Sequence, residues 1–473
     1  MKGAVFYTFF QRKLPFFFIS ILVIIVSTGC KNDNLKATTD TSPLVHLITL
    51  APGHFHAALL QKSMYKEVDS TVYVFAPEGQ EVQAHLALIN EYNNRKENPT
   101  AWKEKVYTGN NYLEQMIQTK PGNVVVIAGN NGMKTEYIKR SINAGLNVLA
   151  DKPMAISTAG FDQLKEAFAE ADKKKVLLYD IMTERYEITN ILQKEFAQLP
   201  DVFGHLQKGT LQNPAITSAS VHYFFKEVSG VPLIRPSWYF DVNQEGEGIV
   251  DVTTHLVDLI QWQCFPDVVL HYKKDIKMLS AKHWPTVLTP SQFYEVTKKD
   301  TYPDFLQKVV KDSLLSVYAN GEMNYTIKDI HAKVSVAWNF KAANGGGDTY
   351  YSVLKGTKAN LVIRQGKEQQ YKPSLYIEPV DKNLKTWNEA VQTGLNELLK
   401  KYPGINLKKS NNGWEVIIPE SYKIGHEQHF SHVVKNYIQY LKEGKMPQWE
   451  VAGMLAKYYT TTQALEKAIN NEQ

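Results

Sequence analysis

Short apolar runs alternate with helical stretches from residue 44 to about 180, and this alternation constrains the fold more than any other feature. The helical stretches include 135–145 and 157–174, where apolar residues recur at three- and four-residue spacing. The apolar runs are rich in Val, Ile and Leu, and they cover 44–50, 71–77, 123–129, 146–151 and 175–180. Strands that are apolar on both faces predict a parallel sheet between helices, which binds ligands at the carboxyl ends of its strands.

The pattern changes in the second half of the chain. Residues 332–340, 349–356 and 359–365 alternate between apolar and polar side chains. This alternation predicts antiparallel strands with one exposed face. Two helical segments then close the chain after about residue 426.

The N-terminus has the parts of an export signal. Lys2, Arg12 and Lys13 precede the apolar run 14–26, which is too short to span a bilayer as a stable anchor. The run ends at "STGC" (27–30), which resembles a bacterial lipobox with Ser27 where Leu is usual. We therefore expect Cys30 to be lipidated and the protein to be anchored in the cell envelope, with membrane contact only through the lipid. An ordinary signal peptide or a membrane helix is the alternative.

Charge and cysteine content exclude several classes of function. The net charge is +5, and three of the positive charges lie in the N-terminal segment, which leaves +2 for the rest of the chain. A nearly neutral body gives no electrostatic basis for binding nucleic acid. With two cysteines, one of them Cys30, no disulfide framework is expected, and Cys264 is interpreted as a buried apolar residue.

The first predicted strand is followed by the turn "APGHFH" (51–56). A dinucleotide-binding loop has three glycines at Gly-x-Gly-x-x-Gly spacing, and here only Gly53 is present. The alternative is a metal site that begins with His54 and His56, as in amidohydrolase barrels. Such a barrel needs eight βα units, which the alternating segments after 330 do not supply. Its remaining ligands would come from Lys152, His205, His222 and Asp251 or Asp258.

Two further stretches carry candidate catalytic side chains. In 123–157 a strand ends at "DKP", so Lys152 projects from the carboxyl end of a parallel strand, where a ligand would lie. In 245–262 Asp251, His255 and Asp258 follow one another at helical offsets of four and three. Residues at those offsets share a helix face, so a carboxylate could orient the imidazole for proton transfer.

Both stretches resemble the Gfo/Idh/MocA oxidoreductases. The second family motif (Ala-Thr-Pro-Asn, a helix, Ala-Gly-x-x-Val, Glu-Lys-Pro) matches in register at Ala128, Asn131, Ala144, Gly145, Val148, Lys152 and Pro153. The chain departs from that motif at Gly129 and Asn130, at Lys134 in place of His and at Asp151 in place of Glu. Asp251, His255 and Asp258 match the family's Asp-x-x-x-His-x-x-Asp segment.

The resemblance implies a fold and, together with the N-terminal export signal, a set of domains. The fold is α/β plus α+β, with a Rossmann-like parallel sheet followed by an open, mainly antiparallel sheet flanked by helices. The expected domains are a signal peptide (1–30), a tether (31–43), a dinucleotide-binding domain (44–182), a substrate and oligomerisation domain (183–425) and C-terminal helices (426–473). Open sheets in this family often pair between subunits, so a homo-oligomer is one of the expected states.

The resemblance also implies site residues. Lys152, His255 and Asp251 would be catalytic. The cofactor is expected to be NAD, because Glu78 follows the second strand, and NADP is the alternative. Contacts to the cofactor would come from Gly53, His54, Phe55, Glu78, Gly129, Asn130, Asn131, Asp151, Lys152 and Pro153. Substrate contacts would come from Arg185, Trp238, Tyr239 and Asp258, and no metal is expected; Trp238 and Tyr239 are equally explicable as core aromatics.

The implied activity is hydride transfer between the nicotinamide and a hydroxyl carbon of a small-molecule carbohydrate. Two alternatives stay open. One is a redox-neutral NAD-dependent glycosidase or lyase with a tightly bound cofactor, which would suit a compartment poor in free NAD. The other is a sugar-binding lipoprotein without activity, since the glycine loop is degraded.

Overall fold

The computed structural model describes residues 44–228, 231–343, 345–381 and 385–471. Cys30, the expected signal peptide and the whole of the tether lie outside these ranges, so the lipid anchor stays a prediction. Within the described ranges, no helix has the length and apolar character needed to cross a membrane.

The first half of the chain forms a six-stranded sheet with helices in the connections. Apart from the edge strand β3, each strand is short and mainly apolar and is buried over most of its length, as expected for strands covered on both faces. Its elements are β1 Leu47–Leu50, α1 His56–Leu59, β2 Thr71–Ala76, α2 Gln80–Asn94, β3 Lys103–Thr108, α3 Tyr112–Thr119, β4 Val124–Ile127, α4 Asn131–Asn143, β5 Asn147–Asp151, α5 Thr158–Lys174 and β6 Leu178–Ile181.

The strand order of this sheet places its ligand cleft. The order is β3-β2-β1-β4-β5-β6, and every neighbouring pair is parallel. Ile48 of β1 pairs with Tyr73 on one side and with Val125 on the other. The chain changes direction at β1, so the connections after β1 and β4 leave a crevice between them at the carboxyl ends.

Sequence patterning missed β3. Three of its six residues, Lys103–Thr108, are charged, and all six are half-buried or exposed. The strand lies at the edge of the sheet, where charged side chains prevent pairing with other chains. Periodicity of apolar residues cannot detect such a strand.

The second half of the chain forms a larger sheet on which helices pack. Its elements are α6 Ile188–Ala197, β7 Ile216–Tyr223, β8 Glu227–Val228, β9 Val231–Pro232, α7 Thr253–Cys264, α8 Tyr272–Asp275, β10 Ile276–Leu288, α9 Pro290–Thr297, β11 Val310–Lys311, β12 Leu314–Ile327, β13 Ile330–Asn339, β14 Thr349–Lys355, β15 Ala359–Gln365, β16 Ser374–Pro379, α10 Lys385–Leu398, β17 Asn406–Ser410, β18 Gly413–Ile417, α11 His426–Glu443 and α12 Gln448–Asn470.

This ten-stranded sheet runs β10-β12-β13-β7-β14-β15-β16-β18-β17, with β11 paired to β12. Its pairs are antiparallel except β13 with β7, which is parallel. The predicted fold class is confirmed, and the sheet is mixed at that single pair. The described strands therefore form two open sheets and a small β8–β9 ribbon, so the amidohydrolase barrel hypothesis is wrong.

The C-terminal helices pack against both halves of the described chain. Phe430 and Tyr437 of α11 belong to the apolar core around the six-stranded sheet. Helix α12 contributes Tyr458 to that core, and Ala456 and Ala464 to the core of the ten-stranded sheet. The segment from 426 onward thus holds the two halves together, and its polar side chains lie close to the cleft between them.

Candidate active site

The turn after β1 is tied to the end of β4. The backbone N–H groups of Gly53 and His54 both donate to the carbonyl oxygen of Ala128, at 3.1 and 3.2 Å. Ala51 has φ of 45°, the left-handed conformation that favours glycine. Ala51 therefore stands where the dinucleotide fingerprint has its first glycine, Gly53 where it has the second and His56 where it has the third.

Gly129 makes this close approach between the two turns possible. A Cβ atom at Gly129 would lie 2.6 Å from the carbonyl oxygen of Ala51 and 2.9 Å from the nitrogen of Gly53. Only glycine fits at that separation. The structure thus gives Gly129 a backbone role at the floor of the cleft.

Two histidines converge on one carboxylate beside this floor. Nδ1 of His56 lies 2.9 Å from Oδ2 of Asp151, and Nδ1 of His54 lies 3.6 Å from the same oxygen. Nε2 of His426, at the start of α11, lies 3.3 Å from Nε2 of His56. Burial, followed by the neighbouring His54, lowers the pKa of His56 to about 3, so its imidazole is neutral at physiological pH. His426 was not predicted, since no motif marks it and 370 residues separate it from His56.

Asp151 is ionised in spite of its surroundings. Burial opposes the charge, but the neighbouring His56 and Lys134 together hold the pKa of Asp151 well below its usual range. Lys134 is itself buried, and burial lowers its pKa to about 8. Its ammonium group donates to Oδ1 of Asn131 at 2.5 Å and to the backbone oxygen of Asp151 at 2.9 Å. Lys134 thus fixes the end of β5 from which Lys152 projects.

Lys152, which is partly buried, forms an ion pair with the buried Asp251. The peptide bond between Lys152 and Pro153 is cis. Burial acts to lower the pKa of Lys152, but Asp251 and then Asp151 outweigh it and raise the pKa, so the ammonium stays charged. Asp251 precedes α7 by two residues and binds Lys152, so the expectation that it shares a helix face with His255 and orients the imidazole is corrected.

His255 lies on the first turn of α7, close to Lys152. Burial, and then the positive charge of Lys152, lower its pKa well below the usual range, so the imidazole is neutral. Its buried Nδ1 atom has no hydrogen-bond partner among the described residues. His255 lines a cavity of about 240 Å³, together with Glu184, Glu187, His222, Asp348 and Tyr350. Burial, and then Glu187, raise the pKa of Glu184 to about 7.

Arg185 and Asp258 were expected to contact substrate, and the structure corrects this. Nε and Nη2 of Arg185 each donate to an oxygen of Asp258 at 2.7 Å, and Nη1 donates to Glu450 at 3.0 Å. The ammonium group of Lys457 lies 2.7 Å from Asp258 and 2.7 Å from Asp180. These five buried residues form a closed ion-pair network between β6, α7 and α12. Its donors and acceptors satisfy one another, so the network positions α7 and leaves the substrate to other groups.

Asn130 and Asn131 were expected to contact the cofactor, and their amides are committed elsewhere. Nδ2 of Asn130 donates to Oε1 of Gln244 at 2.8 Å, and Nδ2 of Asn131 donates to the backbone oxygen of Glu245 at 2.7 Å. The two asparagines thus anchor the loop before α7 on the start of α4. That anchoring brings Asp251 to Lys152.

A second cavity, of about 430 Å³, opens beside the first turn. Its walls include Gly53, His54, Phe55, His85, Arg235 and Tyr239. His85 is buried, and within the described ranges neither of its ring nitrogens has a hydrogen-bond partner. The ring centre of Tyr239 lies 4.5 Å from the guanidinium carbon of Arg235.

Two other predicted contact residues lie near this turn or at the surface. Trp238 touches the turn, with its Cζ2 atom 3.5 Å from where a Cβ of Gly53 would lie. Glu78 follows β2 at the surface, two residues before α2.

Two family models match the chain. Residues 53–179 match "Oxidoreductase family, NAD-binding Rossmann fold", and residues 192–469 match "Putative oxidoreductase C terminal domain". No curated protein matches the chain.

Solved structures resemble it over most of their length. A "putative oxidoreductase" from Parabacteroides merdae is 54% identical, with a TM-score of 0.89 over 90% of this chain and 98% of that one. A levoglucosan dehydrogenase in complex with NADH and levoglucosan is 13% identical, with a TM-score of 0.56 over 90% and 97%. A 3-ketoreductase from Actinomadura kijaniata in complex with NADP is 11% identical, with a TM-score of 0.52 over 88% and 95%. The last two share the fold alone.

The parallel sheet, its cleft at the strand-order reversal and the matched families define a dinucleotide-dependent oxidoreductase. The chain belongs to the Gfo/Idh/MocA family, and it is an NAD(P)-dependent enzyme of that family. Its residues fit the cofactor because the crevice between β1 and β4 is open to the larger cavity. There His85 offers two unpartnered nitrogens among the described residues.

Proposed function

We propose that the protein transfers a hydride between its nicotinamide cofactor and a hydroxyl-bearing carbon of a sugar or sugar derivative. The observation that carries the proposal is His255, a neutral imidazole on the wall of a cavity that carboxylate side chains also line, with the Lys152 ammonium group near enough to lower the pKa of the imidazole. A neutral imidazole next to a fixed cation can take a proton from a hydroxyl group while the cation stabilises the oxygen.

The oxidation direction assigns a role to each group. His255 accepts the hydroxyl proton, and Lys152 stabilises the negative charge that develops on that oxygen. Asp251 holds the ammonium group of Lys152 in place through their ion pair. The bound nicotinamide supplies the hydride acceptor. The C–H and O–H bonds break, the C=O bond forms, and in the reverse direction His255 returns the proton.

The composition of the smaller cavity supports a hydroxyl-rich substrate. Glu184, Glu187 and Asp348 present carboxylates, and Leu256 and Leu259 provide an apolar wall. Carboxylates accept hydrogen bonds from sugar hydroxyls, while apolar side chains pack against the C–H face of a sugar ring. The levoglucosan bound to a structure of the same fold is in keeping with this substrate class.

The test combines cofactor analysis with turnover. The purified protein is denatured and its supernatant is assayed for nicotinamide dinucleotide, and a panel of sugars, polyols and glycosides is then assayed for cofactor reduction. We expect His255→Asn to lower kcat by about 10²- to 10⁴-fold, the range typical of a lost acid–base group. Lys152→Met should also lower kcat.

The matched control is His432→Asn, since His432 is exposed on α11 and lies outside the cavity lining. It should leave kcat unchanged. Full turnover by His255→Asn, with the dinucleotide still bound, would contradict the role of His255. A protein that neither contains nor binds a dinucleotide would contradict the proposal as a whole.

A further inference from the structure

The cluster of His54, His56 and Asp151 stands out among the groups that the proposed reaction leaves unused. One ligand atom from each of the three lies within 4.8 Å of the other two. His56 is the first residue of α1 and Asp151 is the last residue of β5, so regular elements fix two of the three side chains. Asp151 is 4% exposed and His56 is 9% exposed.

Hydrogen bonding explains only part of this arrangement. His56 donates from Nδ1 to Oδ2 of Asp151 at 2.9 Å, which satisfies that pair. His54 directs a buried Nδ1 atom toward the same oxygen from 3.6 Å, and this atom has no hydrogen-bond partner in the part of the chain that the structure describes. A buried polar atom without a partner is costly and calls for an unseen ligand.

We propose that His54, His56 and Asp151 bind a divalent transition-metal ion of the zinc class. Four ligands at bond lengths near 2.1 Å around a tetrahedral ion are separated by about 3.4 Å, close to the 3.6 Å between His54 and Asp151. Two imidazoles and one carboxylate favour zinc, cobalt or iron over magnesium or calcium, which prefer oxygen ligands.

The surroundings of the cluster orient its ligands. Oδ1 of Asp151 accepts the backbone N–H of Lys152 at 2.9 Å, which leaves Oδ2 for the ion. When the ion binds Nδ1 of His56, the single proton of the neutral imidazole moves to Nε2, which can then donate to Nε2 of His426 at 3.3 Å. A partner on the far nitrogen is the usual support for a metal-binding histidine.

The fourth coordination position is open to the larger cavity. The His54 side chain lines that cavity and is 25% exposed, whereas His56 and Asp151 lie behind it. An oxygen donor can therefore approach the ion from the cavity side. Three protein ligands with one open position are the arrangement of catalytic zinc sites.

The test uses the full chain, freed of metal by dialysis against a chelator and kept without dinucleotide. Co²⁺ is titrated while the visible absorption of tetrahedral cobalt is followed, and Zn²⁺ is then added as a competitor. We expect one Co²⁺ per chain, displaced by Zn²⁺. His54→Gln should lose this absorption, and Asp151→Asn should lose it as well.

The matched control is Asp348→Asn. His222 and Asp348 form another histidine–carboxylate pair at 2.9 Å, but their third neighbour is the ammonium group of Lys226. This variant should bind Co²⁺ as the wild type does. Equal binding by His54→Gln, or loss of binding in Asp348→Asn alone, would overturn the proposal.

A second measurement requires no variant. Wild-type crystals soaked in Co²⁺ should show an anomalous scattering peak between His54, His56 and Asp151, and its absence would overturn the site. Neither measurement involves turnover, so failure of the metal site and failure of the proposed hydride transfer can be distinguished.

Discussion

Replacing Lys457 with methionine is the sharpest test of the ion-pair network. Lys457 is fully buried, and its ammonium group lies 2.7 Å from Asp180 and 2.7 Å from Asp258. The network holds two cations, Arg185 and Lys457, and three carboxylates, Asp180, Asp258 and Glu450, so its formal charge is −1. Methionine keeps the length of the side chain and changes the formal charge to −2.

The magnitude follows from what the substitution leaves behind. Arg185 still pairs with Asp258 and Glu450, but Asp180 keeps only the Tyr458 hydroxyl at 2.8 Å among the partners described for its side chain. Breaking a buried ion pair by removing one partner costs about 3–5 kcal/mol. We expect a loss of that size in the free energy of unfolding, measured by urea denaturation followed by circular dichroism.

Two further variants complete the experiment. Adding Asp180→Asn removes the carboxylate left unpaired, so the double variant should recover part of the loss. Lys139→Met, which breaks an exposed ion pair with Glu166, should leave the free energy of unfolding unchanged. A loss below about 1 kcal/mol for Lys457→Met, or strict additivity with Asp180→Asn, would refute the argument. The KM for substrate should not change. A variant that kept its full stability and showed a raised KM would indicate that Asp258 contacts the substrate.

Three other substitutions test the cleft. Ala51→Gly should raise the free energy of unfolding by about 0.5–1 kcal/mol, because removing the steric strain of an alanine in the left-handed conformation outweighs the greater entropy of glycine in the unfolded chain. A variant that is less stable in urea denaturation would contradict this. Gly129→Ala should lower the free energy of unfolding by about 1–3 kcal/mol and abolish dinucleotide binding, because its Cβ atom would lie 2.6 Å from the carbonyl oxygen of Ala51. An unchanged cofactor affinity in a fluorescence titration would disprove the close approach. Glu184 has a pKa raised to about 7, so its carboxylate forms as the pH rises through 7, and kcat/KM for a neutral sugar should rise over the same pH range. Glu184→Gln should flatten this rise. An unchanged rise in the variant would show that another group titrates there.

Local sequence determined the architecture of the dinucleotide-binding half and the positions of Lys152 and His255. Apolar strands and capped helices express their period within a few residues, so the parallel sheet could be predicted from a single sequence. The charged edge strand β3 has no such period, because its side chains face solvent.

Tertiary structure decided which polar groups meet. His56 contacts His426 across 370 residues, and Arg185 contacts Glu450 across 265, with no motif to mark either pair. Asp258 belongs to the expected motif, yet its carboxylate on α7 accepts hydrogen bonds from Arg185 and Lys457.

The turn "APGHFH" shows the same division between sequence and structure. Its sequence placed a strand-to-helix turn at the ligand cleft and supplied one of three expected glycines. Only the packing of β5 beside it brought Asp151 within 3.6 Å of both imidazoles. Side-chain chemistry is written in the sequence, but the distance between two side chains depends on the whole path of the chain between them.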